Sequence, residues 1–368
     1  MPARGNTLQV WILLGQKQGD NAQLRALAEL LAWPCTEKQL FFNGFAGIPN
    51  IFLGPHLRSL AAPSAQLQPP WPDLIITIGR RGVPAARWVH KQSGGRAKLV
   101  HLGRPWGPLH WFDLIVTTPQ YCLPRRDNVL HNILPISIPS MPRKEEGNAS
   151  WAARFSKLPR PWIALLSGGT SRPYVFDQQT GTSLGQAASS FALAQGGSLL
   201  LTASHRCPAP SFAALHTAIK TSGCPHHCHN PHESSQENPY AAYLALADSF
   251  IVTNDSVSMA AEACLSGKPV YIYDLPVHYD LRMRTAQWFR ARAINSQAAP
   301  VSVTGKLYAF LVEYGLLTST RDEQVFMDIL RTKGLAVPFG QKDAPLKTVY
   351  SNRQELEDTV ARIQGLFE

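Results

Sequence analysis

The sequence predicts an α/β protein built from two doubly wound, Rossmann-like domains facing a cleft. Three observations lead there. The chain has 368 residues, more than the roughly 250 at which a single core stops growing. It is 45% hydrophobic and only 16% charged, which supplies large cores and excludes a disordered chain or a coiled coil. Short β-rich apolar runs alternate with helical patterns along it, the grammar of parallel sheets joined by crossover helices.

The first strand is expected at Val10-Trp11-Ile12-Leu13-Leu14, followed by a helix over Ala22 to Ala32 with apolar residues at 24, 27, 28, 30 and 31 on one face. The pattern repeats at Asp73 to Ile78, a helix over Ala85 to Lys91, and strands at Lys98 to Leu102 and Phe112 to Thr117. Residues 141–160 then read as a linker of Pro, Lys, Glu, Gly, Asn and Ser between an N-terminal domain, 1–140, and a C-terminal one, 161–300. The second half opens on a strand at Trp162 to Leu166. Helices over Ser183–Ala194, Ser211–Thr221, Tyr240–Ala247 and Ser256–Leu265 alternate after it with strands at Ser198–Thr202, Ser249–Thr253 and Pro269–Tyr273. Residues 301–368 form an extension ending in a helix over Arg353 to Phe367. Ligands of such halves sit at the carboxyl ends of the strands, so the inter-domain cleft is where a site is expected.

Lysine and arginine number 35 against 25 acids, a net charge of +10, which predicts an anionic partner. The charge concentrates between Asp73 and Asp113, where Arg80, Arg81, Arg87, Lys91, Arg96, Lys98 and Arg104 meet no acid and Trp88, Trp106 and Trp111 lie among them. A basic, tryptophan-bearing face suits an anionic lipid surface or a phosphorylated acceptor; a merely solvated basic face is the other reading, above all for Arg87 and Lys91. Arg282, Arg284, Arg290 and Arg292 form a second basic stretch that flanks the cleft or is simply exposed. No groove-reading motif accompanies these residues, so nucleic acid is not an expected partner. Six cysteines scattered through a large chain, with no secretory signal, read as reduced thiols of a cytoplasmic protein. No run of about 18 uncharged apolar residues occurs, so membrane contact is expected to be peripheral, at the inner face.

The sharpest chemical element runs from Phe250 to Ala263. An apolar strand ends in Asn254-Asp255-Ser256-Val257-Ser258-Met259 at a helix start, where free N–H groups and the helix dipole favour phosphate. Glu262, one turn beyond Ser258, is placed for vicinal ribose hydroxyls. Spacing alone leaves a Ser-capped helix with a solvated glutamate equally open. Gly15 to Gln23 forms a Gly-rich strand-to-helix turn that is neither a P-loop nor Gly-x-Gly-x-x-Gly. Cys224, His226, Cys228 and His229 have the composition of a zinc site, but their crowding favours a polar surface loop without metal.

Taken together, Trp11 to Gln23, Pro72-Asp73-Leu74-Ile75-Ile76 with Gly79-Arg80-Arg81, Phe112 to Val116, Ser167-Gly168-Gly169, Thr202 to Pro208, Asn238-Pro239-Tyr240 and Asp255 to Met259 resemble the mitochondrial fission "elongated mitochondria" family and its bacterial homologues, described as nucleoside-diphosphate-sugar epimerases. The block Thr253 to Glu262 with Gly267-Lys268-Pro269 resembles the donor-binding helix and loop of GT-B glycosyltransferases. The resemblance implies a nucleotide-sugar substrate and no required cofactor. Donor contacts would come from Gly168, Gly169, Thr170, Thr202, Ser204, Arg206, Asn238, Tyr240, Asn254, Ser256, Ser258, Met259, Glu262, Gly267, Lys268 and Pro269. Gly15, Gly19, Asn21, Gln23, Arg80 and Arg81 would hold a lipid or cell-envelope acceptor or its phosphate. The family tends to carry an Asp just before the first turn, where this chain has Gly15 or Gln16; Asp20, His101 and Asp255 are the candidate bases that remain. The resemblance equally implies a non-catalytic adaptor at a membrane surface, as in plant members that recruit a dynamin-related GTPase, or an epimerase.

Overall fold

The computed structural model describes residues 8–137, 145–233, 237–279, 284–285, 303–317, 321–341 and 350–368. The chain divides into two compact units: Met1–Ser137 with Met283–Asp322 and Asn352–Glu368, and Ile138–Arg282 with Glu323–Ser351. The extension expected over 301–368 is therefore shared between them. Arg282, Arg290 and Arg292 of the second basic stretch lie outside the described residues.

The first unit is built on six parallel strands: β1 (Val10–Leu14), β2 (Cys35–Gln39), β3 (Leu74–Ile78), β4 (Lys98–Leu102), β5 (Leu114–Thr117) and β6 (Val129–His131), in the spatial order β2-β1-β3-β4-β5-β6. Alternating side chains bury both faces, which is why the inner strands read as unbroken apolar runs. Trp11, Leu13, Ile75, Leu99 and Ile115 pack on Val83, Ala86 and Val89 of a helix spanning Gly79–Gln92. Their neighbours Val10, Ile12, Leu74, Ile76 and Val100 pack instead on Leu24, Leu27 and Leu31 of α1 (Gln18–Leu31) and on Leu356 and Ile363 of the C-terminal helix Arg353–Gln364.

The helix after β3 starts six residues earlier than the spacing predicts. A short helix, α2 (Asn50–Leu53), precedes it, so it is α3 (Gly79–Gln92). Gly79, at φ +67, makes the sharp turn out of β3. A Cβ on Gly82 would lie 2.5 Å from Thr77 Oγ1, so only glycine lets α3 sit this close to the sheet. Pro84 has no N–H for the Arg80 carbonyl one turn back. Asn50 Nδ2 replaces it, donating to Arg80 O and to Pro105 O at 2.9 Å each.

The second unit repeats the plan with β7 (Trp162–Ser167), β8 (Ser198–Ala203), β9 (His226–Cys228), β10 (Ser249–Thr253), β11 (Val270–Tyr273) and β12 (Val337–Pro338), ordered β12-β11-β10-β7-β8-β9. Its helices are α4 (Glu145–Phe155), α5 (Gln178–Ala194), α6 (Ala209–Thr221), α7 (Tyr240–Leu246), α8 (Val257–Leu265) and, after the first unit's α9 (Val303–Glu313), α10 (Glu323–Thr332). Two readings are corrected here. The later part of the expected linker is α4, held by burial of Trp151 and Phe155. The expected polar loop at 224–232 contains β9, an edge strand hydrogen-bonded to β8. No helix among the described residues is long and apolar enough to cross a membrane.

Helices α5 and α6 approach closely because Gly181 and Gly185 face the partner backbone. A Cβ would fall 2.4 Å from Ser211 O at Gly181 and 2.6 Å from Leu215 O at Gly185. Alanine at a helix glycine ordinarily gains about 1 kcal/mol. Here the clash reverses the sign, and Gly185→Ala should lose about 1–3 kcal/mol of stability in urea unfolding.

Candidate functional site

Each sheet has one point where the chain, having grown the sheet in one direction, returns to grow it in the other. In the second unit this is between β7 and β10, in the first between β1 and β3. Strand ends diverge there and leave a crevice at the carboxyl edge.

In the second unit the edge is formed by the loops after β7, β8 and β10, and most of its polar atoms are already engaged. Gly168 N donates to Thr253 Oγ1 at 2.7 Å, Thr253 Oγ1 to Asp255 Oδ1 at 2.7 Å, and Gly169 N to Asp255 Oδ2 at 2.7 Å. A Cβ on Gly168 would stand 2.2 Å from that carboxylate, and one on Gly169 would be 2.3 Å from the Arg206 carbonyl carbon. The two glycines therefore admit neighbouring protein atoms, and the Gly169 N–H, with the Thr253 hydroxyl that Gly168 N–H holds, fixes Asp255 where a diphosphate was expected. Burial pushes the Asp255 carboxyl above its ordinary range, against the pull of its Thr253 and Gly169 hydrogen bonds. Fully buried between β7 and β10, it reaches no substrate and is no general base.

Other expected donor contacts are also spent internally. Ser204 Oγ donates to Gly168 O at 2.7 Å, Thr202 Oγ1 lies 3.2 Å from His229 Nδ1, and Asn238 Oδ1 accepts from Tyr240 N at 3.0 Å. Asn254 bonds Asp274 and the Leu275 N–H, both at 3.0 Å. Gly267, Lys268 and Pro269 precede β11 and so stand at the amino edge, the far end of the sheet from the crevice. Lys268 Nζ there donates to Ala245 O at 2.6 Å, closing the C-terminus of α7.

What stays open is the start of α8. No side-chain bond caps it at Ser256, Ser258 is exposed beside Met259, and Thr170 and Arg206 are exposed on the flanking loops. Glu262 Oε2, one turn on, accepts from Tyr240 Oη at 2.5 Å. Burial raises the Glu262 carboxyl, and the Tyr240 bond opposes that shift.

The first unit's crevice is a cleft of about 440 Å³. Gly15, Arg80, Arg81 and Asp20 line it as the sequence suggests, joined by Arg104 and Trp106 of the expected basic, tryptophan-bearing stretch and by Lys17, Tyr121 and Arg321, which sequence reasoning did not assign to a site. Two helices begin there, α1 after Lys17 and α3 after Ile78, and neither has a side-chain cap. A Cβ on Gly79 would lie 3.8 Å from Asp20 Oδ2, so the one carboxylate of the cleft stands at the start of α3. Gly19, Asn21 and Gln23 are not among its walls. Asn21 instead clamps the turn, exchanging two 2.9 Å bonds with Gly15.

The basic stretch is not one face. Arg80, Arg81 and Arg104 reach the cleft, Arg87 stacks 3.4 Å from the Trp111 ring centroid, and Lys98 pairs with Asp113 at 3.3 Å. Arg104 is only 2% exposed; Nη2 donates to Leu317 O at 2.7 Å and Nη1 has no partner. Burial lowers its guanidinium to about 10, leaving it charged at neutral pH.

His101 is excluded as a base. It lies in β4 with no exposed surface, packs 5.1 Å from the Phe112 ring centroid, and burial drives its imidazole down to about 3. The Cys/His segment assembles no cluster: His226 Nδ1 meets Cys224 O at 2.8 Å, His227 Nδ1 meets Tyr243 Oη at 2.7 Å, and His229 turns to Thr202. Among the described residues no three His, Cys, Asp or Glu side chains converge on a metal position.

The profile of the family described as "Mitochondrial fission ELM1" matches residues 18–299. The chain belongs to that family. An uncharacterized protein of Rickettsia prowazekii is 26% identical over 306 residues, covering 73% of this chain and 84% of that protein. The mitochondrial fission protein ELM1 of Arabidopsis thaliana is 24% identical over 233 residues, covering 55% of this chain and 51% of its own length, so this ELM1-family chain matches about half of that relative. The UDP-GlcNAc 2-epimerase of Methanocaldococcus jannaschii shares the fold with a TM-score of 0.50 at 11% identity, over 97% of this chain and 99% of that one. With its two parallel six-stranded sheets, the ELM1-family chain is GT-B-like in fold.

Two outcomes test this geometry. Unfolded His101 takes up a proton near its ordinary 6.5, while the folded side chain resists until about 3, so acidification through that window favours the unfolded state and full stability is present above it. From about pH 7 to about pH 5 the wild type should lose roughly 2 kcal/mol more than His101→Leu in urea unfolding. Asp255→Ala strands the Gly169 N–H and the Thr253 hydroxyl and should cost about 2–4 kcal/mol, with Asp255→Asn retaining more than half of that, by the same measurement.

Proposed function

We propose that the chain is a GT-B-type transferase that takes a nucleotide-sugar on its second unit and an acceptor on its first. The observation that carries this reading is the open start of α8 at the β7/β10 switch point. Its first-turn N–H groups and dipole suit a diphosphate, with Ser258 and the exposed Arg206 beside it. Glu262, hydrogen-bonded through Oε2 to Tyr240, keeps Oε1 for the ribose diol.

The chemistry asked of the protein is modest. An acceptor hydroxyl attacks the anomeric carbon, the bond from that carbon to the nucleoside diphosphate breaks, and the leaving group carries away the electron pair. The helix N-terminus stabilises the growing diphosphate charge, and no step requires a metal. Of the candidate bases, Asp20 alone lines an open cleft, and it is the group assigned to take the acceptor proton.

A second reading, a binding adaptor of the mitochondrial-fission type, is favoured by one feature: the carboxyl edge of the second unit satisfies most of its own polar atoms. The two readings differ in what the α8 residues do. Under the first, UDP, GDP, ADP or CMP raises the melting temperature, Glu262→Gln abolishes the shift without changing the apo value by more than about 1 °C, and Asp20→Asn leaves the shift while ending turnover. Absence of a shift with all four nucleotides overturns it and leaves the adaptor.

A further inference from the structure

The first unit's cleft holds more positive charge than its own residues answer. Lys17, Arg80, Arg81 and Arg104 line it, and Asp20 is the one carboxylate among its walls. Arg104 is the telling member, because among the described residues no carboxylate pairs with it and Nη1 is buried without an acceptor. A buried guanidinium left this way is costly, and an oxyanion in the cleft removes that cost. Several cations favour a ligand with more than one negative charge, such as a phosphate monoester or a diphosphate, over a single carboxylate.

An apolar tip adjoins the cleft. The 3-10 turn Gly44–Gly47 and α2 expose Phe45, Ile48 and Phe52 to 59%, 40% and 76%. The tip is fixed to the cleft wall by Asn50, only 4% exposed, through its bonds to Arg80 O and Pro105 O, and by Arg80 Nη1 donating to Gly47 O at 3.4 Å. Three large apolar side chains held in water beside an anion site have no use for a small soluble phosphate. They suit a ligand whose phosphate continues into an acyl or polyprenyl chain.

We propose that the cleft and the tip together bind a phosphate-headed lipid, the cleft taking the oxyanion while Phe45, Ile48 and Phe52 enter the apolar layer. This deepens the acceptor half of the proposed transferase and rests on that reading only for turnover; lipid binding is tested by itself.

The full chain is sedimented with phosphatidylcholine vesicles, with and without phosphatidic acid. Binding is expected only with phosphatidic acid, and inorganic pyrophosphate should compete it away. Phe45→Ser with Phe52→Ser should weaken vesicle binding at least about tenfold while pyrophosphate still raises the melting temperature. Arg80→Gln with Arg81→Gln should lose both responses, and Asp20→Asn should tighten pyrophosphate. All these variants leave the Glu262-dependent nucleotide shift unchanged, so failure here is separable from failure of the donor site. A wild type that responds to pyrophosphate but ignores vesicles overturns the lipid and leaves a soluble phosphate ligand. Equal binding to both vesicle types, or by wild type and the Phe variant, overturns the proposal outright.

Discussion

Parallel pairing is the constraint from which the positions of both candidate sites follow. When every strand of a sheet points the same way, every loop that follows a strand gathers on one edge and every loop that precedes a strand gathers on the other. Function can be assembled from distant segments only along the first edge. Gly168, Asp255 and Ser204 meet for this reason, as do Gly15, Arg80 and Arg104. Gly267-Lys268-Pro269 follows α8 so closely that it reads as part of one motif with the helix start, yet α8 runs the depth of the sheet and delivers it to the other edge. Closeness in sequence across a helix is separation in space of about 1.5 Å per residue.

The interior strands were legible because both of their faces are buried, which leaves a continuous apolar signature in β1, β3, β7, β8 and β10. The edge strands were not. β2 is Cys-Thr-Glu-Lys-Gln and β9 is His-His-Cys, sequences whose side chains meet water and so carry no alternation to read. Helix starts were misplaced wherever tertiary packing overrode propensity. Gly79, Gly82 and Pro84 look like a loop, and they are helical because the sheet admits no Cβ at 82 and Asn50 supplies the bond that Pro84 withholds.

Strand-end positions told where a site lies but not which of its atoms are free. The bond from Gly169 to Asp255 spans 86 residues, and the one from Arg104 to Leu317 spans 213. Local spacing holds no trace of either. So a Gly-Gly turn that looked like a cradle for phosphate turned out to be a cradle for aspartate, and one arginine of a basic run that reads as a surface face turned out to be the deeply buried cation of the cleft.

The two edges thus solve one electrostatic problem in opposite ways. Loops converging at the end of a parallel sheet present unpaired N–H groups, a positive environment that calls for an acceptor. The second unit brings its own carboxylate, Asp255, and holds it with two donors, while the α8 start has no side-chain cap. The first unit's edge gathers cations instead, Lys17, Arg80, Arg81 and Arg104, with Asp20 the one carboxylate among the cleft walls. At the second edge the donors around Gly169 are already engaged by Asp255, so charge weighs less in what can enter there. At the first edge the cleft walls carry more cations than carboxylates, so charge weighs more heavily in what can enter there.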